Sequence, residues 1–321
     1  MLEPTYRQAM SHAWHLVWRD KILWIFGLLS IFIGQFGLSN FIGQLIFLSD
    51  TSAIRAPYGW WLGSWSLFRV SGATQVVGIV WLALVVLVLG VALILLAVAA
   101  QGGLIDAAAQ GFKNRTRPTM MKAWQKGVKH FWRLLVLNVA QRLLLGIILV
   151  AAVFFLINIS PDRALGFLAT VLALMAGALL ALGVSAVAAY AAGFIVEDER
   201  TFFGAIGAGW KLFDRHLLVS LELSIILLGL NWALVAVIFL GSFVVLLPAV
   251  LIWLLAGATG LIGLAAAGLG LALSLFILLV VVAGAIFNAF TTCAWMYLFM
   301  KMRREGMASR LLHYARKMVG K

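Results

Sequence analysis

Polar residues are sparse enough along this chain that the hydrophobic pattern divides it by itself. Apolar runs occupy 22–42, 76–108, 134–158, 164–196, 217–255 and 258–300, separated by stretches where Lys, Arg, Asp and Glu collect. Each run reaches or exceeds the ~20 residues an α-helix needs to cross a hydrocarbon core of ~30 Å. The runs are apolar all round, as expected of helices surrounded by lipid or by other helices. The pattern therefore predicts an all-α, polytopic transmembrane helical bundle. Residues 217–300 contain one ionisable group, Glu222, and fit either two long helices or four short ones. A helix of ~35 residues measures ~50 Å, so runs as long as 76–108 and 164–196 must tilt or project into the cytoplasm. Six spans follow, the first kept as an uncleaved span because it is too long for a signal peptide and lacks an A-x-A site.

The segments before the odd-numbered spans resemble one another. They read Tyr6-Arg-Gln-Ala-Met-Ser-His-Ala-Trp14, Pro118-Thr-Met-Met-Lys-Ala-Trp124 and Thr201-Phe-Phe-Gly-Ala-Ile-Gly-Ala-Gly-Trp210. A small residue precedes each Trp. In the middle copy Lys122, Lys126, Lys129 and Arg133 share one helical face, and Met121, Trp124, Val128 and Phe131 the other. Such a helix lies in the headgroup region. This makes Trp14, Trp124 and Trp210 interfacial anchors, and the four basic residues candidate contacts for anionic lipid. The expected architecture is one membrane domain, 1–321, built as three repeats of interfacial amphipathic helix plus transmembrane hairpin. The repeats run 1–112, 113–198 and 199–304, with a basic cytoplasmic tail at 305–321.

Composition and charge sharpen this picture. Of the 321 residues 64% are apolar and 11% charged, against about 45–50% and about 25% in soluble domains. The net charge of +13 is carried on span flanks and not in a separate basic domain, so nucleic acid is not an expected partner. Twenty basic residues flank the spans on the side of the termini, whereas Arg55, Arg69 and Arg163 lie opposite. The positive-inside rule then places both termini in the cytoplasm of a plasma or inner membrane. The long opposite loop, 43–75, carries an aromatic belt of Tyr58, Trp60, Trp61, Trp65 and Phe68. Cys293 is the single cysteine, and the five histidines are scattered, so neither a disulfide nor a metal site is expected. Hydrolase, zincin and Walker motifs are absent. No cofactor and no enzymatic activity are expected.

Ionisable groups inside a span cost about 2.5–3.5 kcal/mol each on insertion scales. Asp106, Arg142 and Glu222 qualify, all in the cytoplasmic third of their spans. Asn138 and Gln141 share a face with Arg142, and Asn288, Thr291 and Thr292 lie at a similar depth. Two readings stay open: an ion pair of Arg142 with Glu222 or Asp106 that locks helices together, or a polar layer open to the cytoplasm. The even spans are rich in small residues at Ala97–Gly103, Gly183–Gly193 and Ala283–Ala289. Such residues permit close helix packing, either within the chain or in a homo-oligomer.

The ending Asn288-Ala-Phe-Thr-Thr-Cys-Ala-Trp-Met-Tyr-Leu-Phe-Met-Lys-Met-Arg-Arg304 resembles the close of the membrane domain found beside some glycerophosphoryl diester phosphodiesterases and of related bacterial membrane proteins. Ala13-Trp14 leading to Leu23-Trp-Ile-Phe-Gly-Leu-Leu29 is similar to its opening. The resemblance implies a repeat-built membrane module. It brings no catalytic residues onto this chain, since the enzyme's barrel would need roughly another 250 residues. The expected function is a non-catalytic scaffold or accessory protein that organises lipid or a membrane-protein partner. The alternative is a transporter or lipid-handling protein that uses the polar layer.

Overall fold

A computed structural model of the chain describes residues 5–31, 73–113, 119–158, 164–259 and 262–304. These form nine α-helices: α1 (Thr5–Arg19), α2 (Ile22–Ser30), α3 (Ala73–Lys113), α4 (Met120–Lys129), α5 (Phe131–Asn158), α6 (Ala164–Glu197), α7 (Phe202–Arg215), α8 (Leu217–Thr259) and α9 (Ile262–Arg304). Among the described residues, five stretches are long and apolar enough to cross a membrane: Val80–Lys113, Phe131–Phe155, Leu168–Glu197, Leu217–Thr259 and Ala266–Arg303. The chain is thus an all-α, multi-pass membrane protein by the length and hydropathy of its helices. The first expected span, 22–42, is described only through Ile31. The aromatic residues Tyr58–Phe68 and the 305–321 tail lie outside the described residues. Residues 217–300 hold two long helices, α8 and α9, of 43 residues each. Each is about 64 Å long.

Burial changes abruptly along the long helices. Every residue of α3 from Val80 to Leu89 is exposed, and every residue from Ala97 to Ala109 is buried. Ala188–Val196 of α6 and Ala289–Met296 of α9 are likewise buried on all sides. These three segments touch one another and form the centre of the main core. Their sequences explain why. AVAAQGGLIDAAA and AAYAAGFIV are rich in Ala and Gly, and AFTTCAWM adds Ala, Thr and Cys, small residues that bring backbones close enough for dense dispersion contact. Larger side chains fill the gaps between them. Tyr190 packs edge-on to Trp295, at 5.4 Å between centroids, and Phe194 edge-on to Phe299 at 4.9 Å. The exposed halves, by contrast, present Val, Leu, Ile, Phe and Trp on every face, the surface of a helix solvated by lipid.

The short helices close the core from outside. α4 docks on α3, α7 on α6 and α1 on α9. Gly127 is pressed against the Ala99 carbonyl and the Gly103 amide, and Gly209 against Val187 and Ala191. Lys301 donates to Gln8 and Tyr297 stacks on His12 at 5.0 Å, so α1 runs antiparallel to the end of α9. The face by which α4 docks is neither of the two its pattern offers. Ala123, Gly127 and His130 are buried, whereas Met121 and Val128 are exposed and Trp124 is half-buried. Backbone proximity decides the matter, because only the small-residue stripe lets α4 reach the glycines of α3. The corresponding buried stripes are Ala9 and Ala13 in α1 and Ala205 and Gly209 in α7. Each short helix leads into the next through a break of one or two residues: Asp20–Lys21, His130 and His216.

Candidate functional site

Asp106 lies within the all-round buried part of α3, with 1% of its surface exposed. A carboxylate there needs partners, and it accepts from Lys126 Nζ at 2.7 Å and from Gln110 Nε2 at 2.6 Å. Lys126 belongs to α4 but stands beside the docking stripe, so its ammonium turns inward. It also lies 3.6 Å from Glu197 at the end of α6. Burial works against this ammonium, but the hydrogen bonds and charges of Asp106 and Glu197 outweigh it, and the Lys126 pKa is raised. Two residues expected in different roles, an intramembrane acid and a lipid contact, are therefore one ion pair.

The other layer residues divide between neighbours. Asn138 exchanges two amide hydrogen bonds with Gln101 of α3, at 2.6 and 3.5 Å. Asn288 donates to the Gly27 carbonyl at 3.1 Å and to Ser30 Oγ at 2.9 Å, tying α9 to α2. Thr291 donates back to the Asn288 carbonyl at 3.0 Å, and Thr292 is buried one residue on. Gln141 is buried on α5, Arg142 is on that helix's exposed side, and Glu222 is half-buried on α8. The structure thus brings Asn288 and Thr291 together and sends Asp106 and Asn138 to separate partners.

Among the candidate lipid contacts, Lys129 donates to the Glu199 carboxylate at 2.6 Å and Arg133 to the Glu199 carbonyl at 2.9 Å. With Lys126 on Asp106, three of the four are engaged within the protein, and Lys122 stands exposed. The expected anchors Trp14 and Trp210 are exposed; Trp124 stacks on Phe26.

The α6–α7 turn, Glu197-Asp198-Glu199-Arg200, organises this end of the molecule. Glu199 adopts a left-handed backbone, φ 54°, unusual for a residue with a side chain. That turn aims its carboxylate at Lys129. The pairing lowers the Glu199 pKa through the Lys129 hydrogen bond and charge. Asp198 binds Arg303 of α9 at 2.8 Å and lies 3.5 Å from Arg200. One turn thus joins α4, α5 and α9. Sequence reasoning missed it; the signal was three acids in succession on the strongly basic side of the chain. It also missed Tyr190 and Ser220, whose hydroxyls are 2.7 Å apart in the core.

Among the described residues no group of three or more His, Cys, Asp or Glu is placed to hold a metal ion. Cys293 is buried. No family model matches the chain, and no curated protein or solved structure matches it.

Proposed function

We propose that the chain is a non-catalytic scaffold of a cell membrane, its packed helix ends on the cytoplasmic side gathering anionic lipid or a membrane-protein partner. The observation that carries this reading is the use made of the polar residues. Asp106, Asn138 and Asn288 bond to neighbouring helices or to a docked helix, an arrangement that fastens helices together. A transport layer would keep such groups for an ion or substrate. Around the fastened ends, α3 and α8 offer lipid long apolar surfaces, while Trp14, Phe203, Trp210, Lys122 and Lys211 stand exposed on the short helices. Aromatic and basic side chains together suit a headgroup layer rich in anionic lipid.

Three repeated units underlie the scaffold: α1–α2–α3, α4–α5–α6 and α7–α8–α9, with the rest of the first span completing six. The small-residue stripes, the breaks after each short helix, and the docking of α4 on α3, α7 on α6 and α1 on α9 support this. The last pairing closes a ring, because the first short helix docks on the last span. The resemblance of the two ends of the chain to the membrane domain beside some phosphodiesterases fits a module of this kind.

Native mass spectrometry of the full chain released from nanodiscs of mixed phosphatidylglycerol and phosphatidylethanolamine tests the reading. The account expects phosphatidylglycerol to be retained preferentially. A basic residue near an anionic surface contributes about 1 kcal/mol, so Lys122→Gln should lower that retention about fivefold. Equal retention of both lipids, unchanged in the variant, would contradict a lipid-gathering face.

A further inference from the structure

His130 occupies the joint between α4 and α5. Its side chain is 2% exposed, and among the described residues neither Nδ1 nor Nε2 has a hydrogen-bond partner. Buried imidazoles almost always have one. The charges that act on it are Lys126, Lys129 and Arg133 from its own two helices and Glu199 from the α6–α7 turn, while Asp106 of α3 and Glu197 at the end of α6 are paired with Lys126. Glu199 Oε1 lies 3.8 Å from Nε2, beyond hydrogen-bond distance, and is already held by Lys129 at 2.6 Å. Each of these carboxylates is already paired with a lysine, so none is held in reserve for an imidazolium.

We propose that the α4–α5 joint and the α6–α7 turn form a latch that acid releases, with His130 as its proton-binding element. The neutral ring fills the joint. A proton taken up at Nε2 or Nδ1 adds a fourth positive charge where no acceptor among the described residues is in hydrogen-bonding position and the Glu199 carboxylate is engaged. Opening the joint lets the imidazolium reach water, and the turn separates from Lys129 and Arg133. Desolvation, with the charges of Arg133, Lys129 and Lys126, outweighs the pull of Glu199 and lowers the His130 pKa in the closed state. A group whose pKa is depressed on closing binds protons better when open. The closed form therefore loses stability as pH falls below the ordinary histidine value of about 6.5. Glu199, itself depressed, stays ionised through that window, so the proton goes to the histidine. The inference rests on the joint and its buried imidazole and holds whether or not the scaffold reading does.

Hydrogen exchange of the full chain in nanodiscs, at pH 7.5 and 5.5 and corrected for the intrinsic exchange rate, reads the latch directly. Asp198 and Arg200 both donate their amides to the Phe194 carbonyl. Protection of a peptide covering 196–202 should fall at least tenfold at pH 5.5, with 186–194 unchanged. His130→Phe, which fills the joint and binds no proton, should abolish that fall. A fall of the same size in His130→Phe would overturn the proposal. Should that variant fail to fold, the wild-type imidazole titration followed by NMR decides. A His130 midpoint below 6.5, moving together with the resonances of Glu199 and Arg200, supports the latch. A midpoint at or above 6.5, or a turn that does not respond, overturns it.

Discussion

Gly127→Ala should unfold the chain more readily than any other single added methyl group on a short helix. A Cβ at 127 would lie 2.1 Å from the Ala99 carbonyl oxygen and 2.7 Å from the Gly103 amide nitrogen. Both are backbone atoms, so no rotamer change relieves the clash. α3 cannot withdraw either, because its other sides are buried from Ala97 to Ala109, with Phe26 against Gly103 and Leu134 against Gly102. Overpacking a core costs about 1–3 kcal/mol and sometimes more. With backbone on both sides, the loss should reach about 3 kcal/mol or above. Gly207→Ala in α7 is the matched control, since among the described residues nothing outside its own helix turn lies within 4 Å of the added methyl. There the gain in helix propensity should stabilise the protein by about 1 kcal/mol. Thermal unfolding of the two variants in one detergent should move the midpoint in opposite directions. Shifts of the same sign would mean that α4 does not dock on α3 through Gly127.

Asp106→Leu should be nearly as costly, for an electrostatic reason. It removes the main partner of an ammonium with about 29% of its side-chain surface exposed and leaves Gln110 without its acceptor. Breaking a buried ion pair costs about 3–5 kcal/mol. Lys126 can still turn toward Glu197 and water, so about 2–3 kcal/mol is expected. The diagnostic is the double variant. Asp106→Leu with Lys126→Leu removes both charges, and a well-packed apolar pair can replace a buried ion pair without loss. Thermal stability should return to within about 1 kcal/mol of the wild type. Additive losses, with the double variant the least stable, would show that the two residues act separately.

How much of this was legible in the sequence depends on which force sets each feature. The long spans were readable because hydropathy alone sets them, and α5 and α6 fall close to the expected limits. The choice between two and four helices in 217–300 was not readable, since a uniformly apolar run carries no internal signal; α8 continues through Pro248. The small-residue segments Ala97–Gly103 and Gly183–Gly193 pointed correctly to the core, because dense packing in an apolar medium requires small side chains. The docking face of α4 was misjudged for the same reason. Amphipathic reading weighs large apolar residues against charges, and Ala123 and Gly127 count for little in that balance. Partners were the least legible. Asp106 was expected beside Arg142 as one option, yet Lys126 holds it, because docking α4 on α3 brings inward a lysine expected at the interface. The Glu197–Arg200 turn is a tertiary feature whose meaning lies in Lys129, Arg133 and Arg303, distant in sequence.

The central claim is that the packed ends of α3, α6 and α9, with the short helices around them, lie on the cytoplasmic side, while the exposed halves of the spans lie in lipid. Labelling by a membrane-impermeant maleimide tests both parts in one experiment. Cys293→Ala removes the single native thiol, and cysteines are then introduced one at a time as Lys122→Cys, Phe203→Cys, Leu87→Cys and Thr259→Cys, all at exposed positions. The account predicts labelling at 259 in intact cells and at 122 and 203 only after the membrane is opened, with 87 silent in both. Labelling at 122 or 203 in intact cells would place the packed ends outside, and labelling at 87 would take the exposed half of α3 out of the lipid.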